Sequence, residues 1–332
     1  MSRITYGEAT VSVLLEKMRA DPRLCLIGLR AAPGGHLQSA GPIVAKDFPK
    51  RVQELPSCER SLVGLCLGAS LAGARPVVDL LPADWLLYSL GDLIYNVNPI
   101  SHLTGGRVAM APVVRALVGT HLSSGPFLSG TTRQVFRQLR GWRIGAPMSI
   151  QEGCAMLASA LTDQQPTLLL EHRRLFELSE DVATYRPSDE ELSDIWSRAR
   201  VLTSGDHLTI VAYGFLSQVA FEAAQLLERQ RVLAETIHLA SLAPCDRQTL
   251  VASVAKTGKL VLLEDTPPQG SLLDGLLVNL LDYVFEWLDA PVLRIHNPSE
   301  PPAYSPALER YWQPAAETVA ETIRTWFTKQ EG

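Results

Sequence analysis

Glu59 is an acid at the head of a run that is otherwise small and apolar, PSCERSLVGLCLGASLAGARPVVDLL over residues 56–81. A lone glutamate at a helix start has an ordinary role, complementing the helix macrodipole, so its surroundings decide what else it does. Gly64, Gly68, Ala69, Ala72 and Gly73 follow it at three- to five-residue spacing, which on a helix keeps most of them on one face. Each glycine costs a helix roughly 1 kcal/mol relative to alanine. A helix that keeps several is therefore using them, and the expected use is close backbone approach to another helix or to a ligand. Ala74-Arg75-Pro76 ends the helix, and Val77-Val78-Asp79-Leu80-Leu81 predicts a buried strand. One carboxylate thus stands at the mouth of a tightly packing helix that feeds directly into a sheet.

The run Glu-x-x-x-x-Gly-x-x-x-Gly-Ala-x-x-Ala-Gly-x-Arg-Pro-x-x-acid, from Glu59 to Asp79, resembles the pyrimidine-binding domain of the transketolase superfamily. More closely it resembles the β subunit of the thiamine-diphosphate-dependent decarboxylase component of 2-oxo acid dehydrogenase complexes. The resemblance implies that Glu59 hydrogen-bonds the cofactor's aminopyrimidine, favouring the imino tautomer whose nitrogen deprotonates the thiazolium carbon. It also implies an aromatic ring stacked on that pyrimidine. Trp85 falls there on an ungapped count, and Tyr88 takes its place if an insertion lies earlier. A flat indole suits a heterocycle by offset stacking, worth about 1 kcal/mol beyond burial. Asp92 and Asn96 match the family's Asp-x-x-x-Asn, with an extra residue before Asp92.

Three places depart from the family pattern. The loop after the first strand, Gly28 to His36, lacks its usual paired acids, and His36 reads as a solvated loop residue. The loop Val118 to Gly130 carries Phe127-Leu128-Ser129 where the family has Gln-His-Ser, whose histidine serves acyl transfer to a lipoyl arm. A leucine moves no proton. His121, earlier in the same loop, is the candidate to reach the cavity in its place. Finally, the Gly-Asp-Gly and downstream Asn that bind diphosphate and Mg2+ are missing: Gly91-Asp92-Leu93 and Gly205-Asp206-His207 both lack the second glycine. There is no GxGxxG or P-loop either. The resemblance covers the whole chain but half an active site. It implies an α-type partner supplying diphosphate and metal, and a heterotetramer in which β-type chains pair through the glycine face. Asp163, at the turn before a strand, matches an acid with which the family holds a structural monovalent cation such as K+.

Composition sets the frame for these motifs. The chain has 332 residues, 46% of them hydrophobic, which suits two domains with real cores. A net charge of -5 argues against nucleic-acid binding. Cys25, Cys58, Cys66, Cys154 and Cys245 are scattered without a CxxC pair, so they read as reduced thiols rather than a disulfide frame or zinc site. The N-terminus has charges where a signal peptide needs an apolar core, and no run approaches the roughly 20 apolar residues of a membrane span. A cytoplasmic protein is expected.

Periodicity predicts a helix over Tyr6 to Arg19, then short fully apolar strands alternating with helices through residue 171. That pattern is a parallel sheet covered on both faces. A strand is expected over Arg107 to Leu117, and a helix over Ser149 to Thr162 with Ser149 capping it. The polar stretch 181–204 reads as a connection between an N-terminal domain, 1–180, and a C-terminal α/β domain, 205–332, which resembles the transketolase C-terminal domain. The fold class is α/β with two doubly wound domains. Three functions stay open. The first is a β-type subunit acting on a 2-oxo acid and passing its acyl unit to a lipoyl or other carrier. The second is transketolase-like transfer of a two-carbon unit from a ketose, for whose phosphate Arg30, Arg115 and Arg133 are loop-position candidates. The third is a non-catalytic scaffold.

Overall fold

A computed structural model describes residues 3–29, 43–56, 58–120, 123–129, 133–181 and 194–331. After β1 (Arg3–Thr5) the chain enters α1 (Tyr6–Ala20) through a capping box, in which Thr5 accepts from the Glu8 backbone and Glu8 accepts from Thr5 N at 2.8 Å. β2 (Leu24–Leu29), β3 (Val52–Leu55), α2 (Glu59–Leu71), β4 (Arg75–Pro82), β5 (Val113–Val118), β6 (Arg143–Gly145), α3 (Ile150–Thr162) and β7 (Thr167–His172) build the first layer system. β2 to β7 are mutually parallel wherever they pair. Every residue of β5 and β7 is buried, as strands covered on both faces must be. β8 (Ser179–Asp181) returns to pair antiparallel with β1.

The second half holds β9 (Arg200–Thr203), β10 (Leu208–Tyr213), α4 (Leu216–Glu228), β11 (Ala234–Leu239), β12 (Ser241–Ala243), α5 (Arg247–Thr257), β13 (Leu260–Leu263), α6 (Leu272–Val284), β14 (Leu293–Ile295), α7 (Pro306–Trp312) and α8 (Ala316–Glu331). Its sheet runs β14-β13-β10-β11-β9, and the first runs β12-β6-β7-β5-β4-β2-β3.

Three features differ from the sequence expectation. β9 lies inside the stretch read as connection and adds antiparallel to β11, Thr203 Oγ1 donating to the Ala234 carbonyl at 2.8 Å. β12 follows β11 almost at once yet joins the other sheet, antiparallel to β6. The two sheets are therefore joined by a short stretch of chain. The strand expected from Arg107 starts only at Val113, because Pro112 has no N–H for the ladder and offers its carbonyl to Thr167 N at 3.0 Å. Across the halves, Glu152 at the start of α3 meets His238 of β11 at 2.8 Å, and His238 meets Ser217 of α4 at 2.7 Å.

Beneath the first sheet's surface lies an ionic cluster. Arg115 of β5 binds both oxygens of Glu171 at 2.8 Å and reaches Thr10, while Tyr6 donates to Glu171 at 2.5 Å. Asp79 sits directly across the ladder from Arg115, and its Oδ2 finds no hydrogen-bond partner among the described residues. Burial pushes the Asp79 carboxyl up to about 7, the Arg115 charge only partly opposing it. The folded protein thus holds a proton that the unfolded chain has released by pH 5, so stability falls as pH rises from about 4 to 7. Asp79→Asn is expected to be more stable than wild type at pH 8, by up to about 3 kcal/mol, and to lose that advantage near pH 4. Denaturant midpoints across this range would check it.

Candidate functional site

Glu59 is the first residue of α2, half-buried, and among the described residues its carboxylate accepts no hydrogen bond and joins no ion pair. Cys58 before it makes no side-chain cap. The start of α2 is tied to the turn Leu90–Asp92 by Arg60 and Asp92 at 3.5 Å, and Asn96 in turn donates to Asp92 at 3.0 Å. The expected Asp-x-x-x-Asn pair is therefore formed. Trp85 stands in the 3-10 helix Ala83–Ser89, which packs against α2. Its half-buried indole meets Phe127 edge to face, ring centres 6.0 Å apart at 68°. Tyr88 on the same turn is 66% exposed. His121, His36 and Arg30 lie outside the described residues.

Among the described residues the glycine face packs on nothing: a Cβ placed on Gly64 or Gly68 would meet no atom within 4 Å. Leu65, Leu71, Tyr95 and Leu103, on or near the same helix, are exposed as well.

The loop bearing Phe127 is fixed at several points. Gly119 adopts φ +85 with the His172 ring so close that a Cβ would come within 2.1 Å of Nε2. Gly125, at φ +64, lies on the Tyr304 ring. Ser123 N donates to Glu309 of α7 at 2.8 Å, and Gln313 donates to both the carbonyl and the hydroxyl of Thr120. Ser129 donates to the Gly125 carbonyl, and Arg173, just after β7, donates to the Leu128 carbonyl. The sequence alone singles out neither Arg173 nor Tyr304 as a loop anchor. Their only signal is a glycine- and serine-rich loop whose shape depends on distant partners.

Two arginines expected at the mouth are instead interior, and this corrects the phosphate-binding expectation for them. Arg115 is 2% exposed and spent on Glu171. Arg133 is 1% exposed, bound to Asp265 at 2.5 and 3.0 Å and to the Tyr213 hydroxyl at 3.0 Å. Burial alone would raise the Asp265 carboxyl, but the Arg133 guanidinium and His172 hold it well below the usual range. His172 is pushed below its ordinary value by burial, so it is neutral. Nδ1 accepts from Arg174 N at 3.2 Å, which leaves Nε2–H for Asp265 at 3.1 Å.

Asp163 ends α3 on the far side of the sheet from Glu59. Its carboxylate pairs with Arg143, and its carbonyl accepts from Arg75 Nη2 at 2.6 Å, while Arg75 also binds Asp21 at 3.0 Å. It borders a cavity of about 980 Å³ shared with Lys17, Trp142 and Trp196. The positive charge that a structural cation would bring to this turn is already there as two guanidinium groups.

Comparison with known proteins bears on this geometry. The transketolase pyrimidine-binding domain family matches residues 2–178, and the transketolase C-terminal domain family matches residues 197–319. The chain is 28% identical over 97% of its length to the pyruvate dehydrogenase E1 component subunit beta-2 of Oryza sativa, covering 85% of that protein. It is 26% identical over 98% of both chains to the 2-oxoisovalerate dehydrogenase subunit beta of Bacillus subtilis. Among solved structures, a split-gene transketolase described as an inactive β4 tetramer superposes with a TM-score of 0.72, 21% identity and 98% coverage of both chains. A Pichia stipitis transketolase gives 0.69 at 16% identity, this chain spanning 47% of that one.

Proposed function

The chain belongs to the transketolase family, its two halves matching that family's pyrimidine-binding and C-terminal domains, and from this we propose that it is the β-type subunit of a thiamine-diphosphate-dependent enzyme acting on a 2-oxo acid. The observation that carries the proposal is Glu59, a helix-start carboxylate without a partner among the described residues, on a helix packed against the turn that bears the half-buried indole of Trp85. Half-buried at the helix start, that carboxylate is open to a group from outside. These two groups fit an aminopyrimidine ring. Glu59 would share a proton with a ring nitrogen, and Trp85 would hold the ring by its flat face. Thiamine diphosphate, when bound, supplies the electron sink for the acyl carbanion. The described residues offer no cluster of acids, histidines and cysteines for a metal. Mg2+ and the diphosphate fall to an α-type partner, and no role is given to a cation at Asp163.

The open faces of Gly64 and Gly68 supply a surface for pairing with a second β-type chain, giving a heterotetramer of two α-type and two β-type subunits. The split-gene transketolase, a chain of the same extent described as an inactive β4 tetramer, supports self-association. A scaffold without activity is disfavoured by the retention of Glu59 together with an aromatic at Trp85, since a dead site has no need for that acid. Transfer from a ketose phosphate is disfavoured by the interior positions of Arg115 and Arg133. Among the described residues no helix is long and apolar enough to cross a membrane. The test is oxidative turnover of 2-oxo acids with an artificial electron acceptor. The chain alone is expected to be inactive and its mixture with the α-type subunit active; an inactive mixture that still assembles would favour the scaffold.

A further inference from the structure

Resting on that functional reading, we infer that Phe127 determines specificity and, with Trp85, forms an apolar lip that receives an uncharged alkyl or aryl side chain of the donor. Phe127 is 63% exposed, although its loop is pinned on both sides of it. Leu128 is held through its carbonyl by Arg173, and Gly125 is clamped between Ser129 and the Tyr304 ring. An exposed phenyl on a fixed backbone, with its face edge-on to Trp85 at 6.0 Å, is a preset surface and not a loose one.

Charge narrows the occupant. Residues 123–129 contain no titratable side chain. The nearby described cations are engaged: Arg133 with Asp265, Arg115 with Glu171, and Arg174 over the Phe215 ring at 4.4 Å. Arg173 is mostly buried and gives a hydrogen bond to the Leu128 carbonyl, with Glu309 and Asp84 the acids that act on its charge. A phosphate or sugar hydroxyl brought to this lip would lose water and gain no ionic partner from these groups. An apolar side chain would lose nothing and would cover exposed ring surface.

The test uses the assembled enzyme with thiamine diphosphate and Mg2+. It compares phenylpyruvate, 3-methyl-2-oxobutanoate and fructose 6-phosphate by ferricyanide reduction and by calorimetric binding. The apolar 2-oxo acids are expected to win in kcat/KM. Phe127→Ala should raise their KM and dissociation constant about tenfold with little change in kcat. Phe127→Leu should restore most of the loss, and Phe127→Arg should move preference toward fructose 6-phosphate. Preference of the wild type for fructose 6-phosphate would overturn the inference. So would an unchanged KM in Phe127→Ala, including the case where that variant instead loses its grip on the α-type subunit. Cofactor binding measured on the same samples separates the failures. Cofactor bound without apolar preference sinks the specificity of Phe127 alone, whereas absent cofactor binding sinks the functional reading with it.

Discussion

Glu59→Gln is expected to lower turnover of the assembled enzyme by about a hundredfold or more, the range for loss of a positioned proton-sharing group, while leaving the fold intact. The isostere keeps size and polarity but cannot carry the charge that holds a proton on the pyrimidine. The fold should tolerate it, because Glu59 is half-buried at the first position of α2 and no described residue leans on its carboxylate. Loss of its interaction with the helix dipole costs at most about 1 kcal/mol. The measurement is turnover beside a thermal melt of the same sample. Equal turnover in the variant would remove Glu59 from the chemistry and leave it as a helix-start acid.

The largest stability effect belongs to Arg115. Replacing it by methionine leaves Glu171 and Asp79 buried without their cation, and Thr10 loses the guanidinium that donates to it. Breaking a buried pair from one side costs about 3–5 kcal/mol, because the remaining charge stays desolvated. Arg115→Met is therefore expected to lower the denaturant midpoint sharply or to prevent folding at neutral pH. The loss should shrink in acid as Asp79 takes up its proton. Removing both partners, as Arg115→Met with Glu171→Leu, is expected to recover much of the loss, since well-packed apolar residues replace a buried pair at little cost. A single variant as stable as wild type at pH 7 would mean that the cluster contributes nothing to the sheet. The same data bear on function only indirectly, by showing that Arg115 is committed to the interior and not to a substrate phosphate.

Much of the fold is written in local pattern. Leu24–Leu29, Thr167–His172 and Leu208–Tyr213 are parallel strands covered on both faces, and such strands read as largely apolar runs. Helix starts at Tyr6 and Ile150 carry their capping residues beside them, Thr5 and Ser149. Edge strands carry no such mark. Arg200–Thr203 and Ser241–Ala243 are short and partly polar, and they become strands because a neighbouring edge needs covering.

The site divides in the same way. Glu59 is legible because its flanking pattern is local, and Asp92 with Asn96 because the pair is one helical turn apart. Arg115 is not legible: its place within an apolar strand hides the fact that Glu171 and Thr10 neutralise and bind it from afar. The shape of the Phe127 loop is least legible, since Ser123 and Glu309 stand 186 residues apart. The glycines of α2 announce a close approach, but no described residue of the chain makes it.

The central claim is that this chain contributes half of a shared thiamine diphosphate site. The direct measurement is calorimetric titration of thiamine diphosphate with Mg2+ into the chain alone, and then into its complex with the α-type subunit. The account predicts binding only in the complex, lost when Glu59 is replaced by alanine. Tight binding by the chain alone, or a complex that assembles and binds none, would contradict it.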